Sequence, residues 1–212
     1  MTDEIQRGAD GSLLAKQIEK SERVSAWIKT SGRLVRFEES AKSVLVAASI
    51  QLTIEHHGAM VILAKSRCYA SMLALLRPAY EASIWATWLL WKATDKQLLE
   101  LANNRLTRGL EEMVRDLDKQ RIFEDAPMLS TMKPLLKKMD GFVHGGFEQL
   151  RHRIHEASVT PKYPEQLLVD ALQTADMFAI MALLEGPAIA RDEQLGNRLY
   201  AEARALLNQP RQ

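Results

Sequence analysis

Two groups of residues in this 212-residue chain have types and spacing that could do chemistry. The first is Arg77 with Glu81, four positions apart and so on one face of a helix within reach of each other. They stand in the middle of the apolar stretch CYASMLALLRPAYEASIWATWLLW, Cys68–Trp91. Charges buried there must pair or line a wet pocket, because an isolated buried charge costs several kcal/mol. Two readings stay open: an ion pair that fixes helix packing, or a polar pocket in which Arg77 offers its planar fork to a small anionic ligand and Glu81 orients it. Trp85 adjoins this pair, and its spacing with Trp88 and Trp91 suits core or dimer surface better than a base-stacking platform. The second group is FVHGGFEQLRHR, Phe142–Arg153. His144 stands before Gly145-Gly146, where a new helix begins and its free amides can face the histidine or an anion. Arg151 and Arg153 follow closely. The plain alternative is a capping histidine followed by a solvated charged run.

Much familiar chemistry is missing. There is no P-loop and no GxGxxG, and Gly145-Gly146 alone is too little for either. His152 and His155 lie three apart in RHRIHE, which matches neither HExxH nor HxxEH. The Glu-x-x-His pairs of di-iron bundles are absent too. We therefore expect no metal site and no cofactor. Cys68 is the one cysteine, so no internal disulfide framework exists, and it reads as a small buried apolar residue in a reducing compartment. The 28 basic and 27 acidic residues leave a net charge of +1, which gives nucleic-acid binding no support beyond a local patch. The apolar and charged shares, 47% and 26%, are those of a folded globular domain. Arg77, Pro78 and Glu81 argue against a membrane span at Cys68–Trp91, and the N-terminus has no apolar run. The expected location is cytoplasmic, with no membrane partner.

These residues need elements to position them. Leu and Ala dominate, no segment alternates cleanly, and no Asn-Gly or Asp-Gly turn appears, so the expected fold is all-α. One domain is expected over 1–212, with 1–10 and 208–212 frayed. The pattern predicts helices over 12–30, 33–67 and 69–92, the latter two forming a long antiparallel hairpin at the centre of a multi-helix bundle. Val44, Ala48, Leu52 and Ile62 belong to the apolar spacing of the second. Thr94-Asp95 caps a fourth helix, continuing through Leu110, Val114 and Leu117. A fifth opens at Ala126-Pro127 and reaches Val143, and a sixth spans Phe147 to Ala157. A seventh follows Pro164 and is ended or kinked at Gly186-Pro187. A last helix ends near Leu207. Leu, Ala and Trp surface in excess of one core points to a homodimer.

Several strings recur in a known order: Glu55-His56-His57, Leu76 through Ala82, Trp88-Leu89, His144-Gly145-Gly146 and Pro161-Lys162-Tyr163. With them the chain resembles, over about residues 45–190, an uncharacterised bacterial family, domain of unknown function 6988. The resemblance implies an all-helical protein of no settled activity. Members often carry Arg four residues after the Glu; Trp85 stands there here. The chain is also distantly similar to helical abortive-infection and HEPN-type proteins of bacterial defence. Those ribonucleases use Arg followed, after four to six residues, by His, whereas Lys137 and Lys138 stand upstream of His144. Lysine does not reproduce the guanidinium fork. The leading expectation is a homodimeric helical protein that binds a small anionic ligand or a protein partner in a polar pocket. The alternative is a HEPN-like ribonuclease or toxin component. Enzymatic activity stays open at this point.

Overall fold

A computed structural model describes residues 12–119, 133–143, 146–155 and 158–208. The chain folds as an all-α bundle, as the composition predicts. We number its elements in chain order: α1 (Leu13–Gly32), α2 (Ala41–Lys65), α3 (Tyr69–Trp91), α4 (Asp95–Ala102), α5 (Leu110–Asp118), α6 (Lys133–Val143) and α7 (Phe147–Arg151). Then come β1 (Ile154–His155), β2 (Ser158–Val159), α8 (Glu165–Leu184), α9 (Gly186–Ala190) and α10 (Glu193–Asn208). The expected opening at Ala126-Pro127 and most of both frayed ends lie outside the described residues.

Local chemistry explains several boundaries, including two that sequence patterning misplaced. α2 begins at Ala41 and not at 33, because Ser40 and Ser43 form a reciprocal capping box: each side chain accepts from the other's backbone N–H. α4 stops at Ala102 and does not run on into α5. Asn104 takes a left-handed conformation (φ 53°), its N–H bonds the carbonyl of Leu101, and that of Arg105 bonds Glu100. Asparagine tolerates this conformation, and the two bonds close the last turn. The same closure ends α2, with Arg67 at φ 57° and bonds from Arg67 to Ala64 and from Cys68 to Leu63. Thr94 caps α4 as predicted, with Gln97 in the reciprocal role. The expected helix over 147–157 is five residues long, and a short antiparallel hairpin follows it with Ile154 opposite Val159. Cys68, expected to be buried, is exposed at the α2–α3 turn.

The turn Ser66-Arg67-Cys68 folds α3 back along α2 as the predicted antiparallel hairpin. α8 packs against α1, α2 and α3 together, so it closes the bundle. The main core joins Met60, Leu76, Tyr80, Trp88, Leu117 and Leu172; a smaller one joins Val24, Ile28, Ile180 and Leu183. α2 departs from expectation. Val44, Leu52 and Ile62, part of its apolar spacing, face outward, and its inward positions are Val46, Ile50, Thr53, His57, Met60 and Ala64. Glu165–Ala190 is long and apolar enough to cross a membrane, and most of its apolar window is buried among the other helices.

The end of α3 is tied to the α8–α9 junction: Trp91 Nε1 donates to Glu185 Oε2 at 2.9 Å. Burial pushes the Glu185 carboxyl above its usual range, and hydrogen bonds from Trp91 and Thr87 pull it part of the way back. The folded chain therefore holds a proton here at pH values where the unfolded chain has released it. Stability falls as pH rises from the ordinary carboxylate value through the raised one. Glu185→Gln keeps an acceptor for Trp91 and is expected to flatten this slope. Urea midpoints of both chains between about pH 4 and 7 measure it.

Candidate functional site

Arg77 and Glu81 meet as their spacing predicts: Arg77 Nε donates to Glu81 Oε1 at 2.6 Å. A second carboxylate joins them, with Asp140 Oδ1 of α6 at 3.3 Å from Arg77 Nη1. One guanidinium thus clasps α3 to α6. The surroundings are wetter than the apolar run suggests. The side chains of Arg77 and Glu81 are 19% and 44% exposed, because the pair lies at the margin between α3 and α6. Two of the donors that an anion would need are already directed at carboxylates. Neighbouring Tyr80 is fully buried against Phe178, and its hydroxyl has no hydrogen-bond partner among the described residues. Burial pushes the Tyr80 phenol up to about 12; Arg77 opposes this and Asp118 adds to it.

The other predicted site residues lie apart. Trp85 is half-buried and meets Trp88 edge-to-face at 6.0 Å. Trp88 is buried, donates to Asp116 Oδ2 at 3.3 Å and lies under the Arg108 guanidinium, which pairs with the same carboxylate. Trp91 is exposed at the helix end. Arg151 lies on the surface and pairs with Glu148 three residues before it, at 2.9 Å. His144 lies outside the described residues. Among the described residues no group of three His, Cys, Asp or Glu is placed to hold a metal.

A second polar assembly fixes the α7–hairpin segment. Gln149 Nε2 donates to the carbonyls of Ala70 in α3 and Phe142 in α6, both at 3.0 Å. Tyr163 donates to Gln149 Oε1 at 3.1 Å, and its ring stacks on His152, which in turn stacks on Phe142. The Pro161-Lys162-Tyr163 string therefore packs against the start of α3, the helix that carries the Arg77 string.

The most deeply buried polar cluster went unrecognised in the sequence. His57 Nε2 donates to Asp176 Oδ1 at 2.7 Å, with their side chains 1% and 2% exposed. Asp176 Oδ2 accepts from Gln17 Nε2 and from Ser21 Oγ, both at 2.9 Å. Ser25 Oγ is 3.5 Å from His57 Nδ1. Ser25, His57 and Asp176 follow the order of a hydrolytic relay. However, Ser25 sits inside α1, where the backbone N–H groups are engaged in the helix and cannot form an oxyanion hole. The cluster is a polar core joining α1, α2 and α8. Its signal was Gln17, Ser21 and Ser25 at four-residue steps, together with one acid inside the apolar run of α8.

The chain matches the family described as a family of unknown function (DUF6988) over residues 50–208, and it belongs to that family. No curated protein and no solved structure matches it.

The Asp176 cluster and the Arg77 clasp should differ in energetic weight. Asp176→Ala strands His57, Gln17 and Ser21 in the interior and is expected to destabilise by about 3–5 kcal/mol. Arg77→Ala leaves Glu81 and Asp140 near water and is expected to cost about 1 kcal/mol. Denaturant unfolding of both variants reads the difference.

Proposed function

We propose that this member of the family acts by docking a protein partner on the face formed by α7 and the hairpin. One observation carries the reading: large apolar side chains stand in solvent on consecutive short elements. Phe147 and Val159 are 74% and 80% exposed, and Leu150 and Ile154 at least half. Phe147 and Leu150 share a face of α7, being three apart. Ile154 and Val159 are cross-strand partners and so lie on one side of the hairpin. Exposed apolar groups gathered in this way are typical of interaction sites.

The partner's chemistry follows from what surrounds them. Arg153 and Lys162 are exposed beside the hairpin, and Lys137 and Lys138 are exposed on α6, the helix that precedes α7. An amphipathic helix with an acidic side fits both features, its apolar stripe meeting Phe147 and Val159 and its acids meeting the lysines. Nucleic acid would satisfy the lysines and offer nothing to Leu150, Ile154 and Val159. The polar clasps support this reading in another way. Arg77 with Asp140, and Gln149 with Tyr163, hold α6, α7 and the chain after the hairpin against α3. A docking face built on short elements needs such support.

The test uses a synthetic amphipathic helix, leucine on one side and glutamate on the other. The protein is expected to bind it, more weakly as salt rises. Phe147→Asp and Val159→Asp are each expected to weaken binding about tenfold, with the circular-dichroism melt unchanged. Absence of binding, or binding indifferent to both variants, rejects the reading. Cleavage of an RNA oligonucleotide by the purified chain replaces it with the ribonuclease alternative.

A further inference from the structure

α2 carries apolar side chains and a glycine that the described residues leave uncovered. Its inward side is covered by α1, α3 and α8. At helical spacing, its outward side presents Val44, Ala48, Leu52, Ala59 and Ile62, the last 65% exposed. Gln51 and Glu55 are the polar residues within that stripe. Large apolar side chains gathered on the open side of a helix mark an interaction surface, and α2 has such a side. Gly58 is a second, separate sign. Glycine within a helix weakens it, so its retention needs a return. Among the described residues there is none: a Cβ at position 58 would meet nothing within 4 Å. The return that remains is close approach by a backbone from outside.

We propose that the outward side of α2 is a homodimer interface, in which α2 pairs antiparallel with α2 of a second copy about a two-fold axis level with Thr53. A two-fold contact must be self-complementary, and this register is. It sets Val44 opposite the partner's Ile62, and Ala48 opposite the partner's Gly58, two small residues where the helices cross. It also sets Gln51 opposite the partner's Glu55, so the amide donates to the carboxylate and the one acid of the stripe avoids its own image. Lys65, at the end of the stripe, is already paired with Glu22 of α1. The α7–hairpin face does not suit self-pairing, because its lysines and arginines would meet their own copies. The inference is independent of the docking reading, since the two faces share no residue.

Light scattering of the full chain at tens of micromolar tests it, with three variants. The wild-type chain is expected to be a dimer. Leu52→Asp/Ile62→Asp is expected to raise the dissociation constant by about tenfold or more. Gly58→Met fills open space in the single chain and improves helix propensity; it is expected to leave helicity intact while also breaking the dimer. Tyr200→Asp, at an exposed position on α10, is expected to leave the dimer unchanged. A monomeric wild-type chain overturns the proposal. A dimer that survives both α2 changes overturns it as well.

Discussion

The carboxylate of Asp176 is the constraint around which the bundle is arranged. It is buried among apolar side chains of α8, so its charge is tolerated only while donors surround it. Those donors come from two other helices: His57 from α2, and Gln17 and Ser21 from α1. Apolar packing sets α1, α2 and α8 side by side but permits sliding, because one methyl group substitutes readily for another. A carboxylate with three named donors restricts it: a one-turn shift of α2 would bring Thr53 or Val61 to the place of His57 and leave Asp176 without that donor. Such a cluster adds little net stability over a well-packed apolar one, yet it penalises other registers heavily. The apolar packing of Val24, Ile28, Ile180 and Leu183 nearby is consistent with helices already held in place.

The register set by Asp176 decides which side of α2 faces inward. His57 must point at α8, so Val46, Ile50, Thr53, Met60 and Ala64 follow it into the core. Val44, Leu52 and Ile62 are then left outside. The apolar outer stripe of α2 is left outside by this bond together with the burial of Val46, Ile50, Met60 and Ala64. α3, which has the more apolar sequence, is covered by α2, α5, α6 and α8 and leaves little apolar surface for a partner.

The Arg77 clasp works at the opposite side of α3. Its guanidinium spans a gap between α3 and α6 that remains partly wet, and Gln149 and Tyr163 extend the tie to the chain before α8. The short elements from Phe147 to Val159 lack the length to stabilise themselves. They are held from behind by Gln149, by the stacked rings of Phe142, His152 and Tyr163, and by Ile154 pairing with Val159. Their apolar side chains consequently face solvent.

Composition and periodicity determined the helical class, the α2–α3 hairpin, the Thr94 cap and the contact of Arg77 with Glu81. Each of these depends on residues within a few positions of one another, where spacing fixes geometry. The capping box at Ser40 and Ser43 and the left-handed Asn104 were equally local and could have been read. The remaining features were decided by tertiary structure, because they join residues far apart in the chain. Nothing near His57 announces Asp176, 119 positions later. Nothing near Arg77 announces Asp140, which turns an expected buried pair into a half-wet, three-member clasp. The same apolar stripe along α2 fits a core or an interface, since periodicity gives the angle between residues but not the direction they face. That direction was set by a buried carboxylate on another helix.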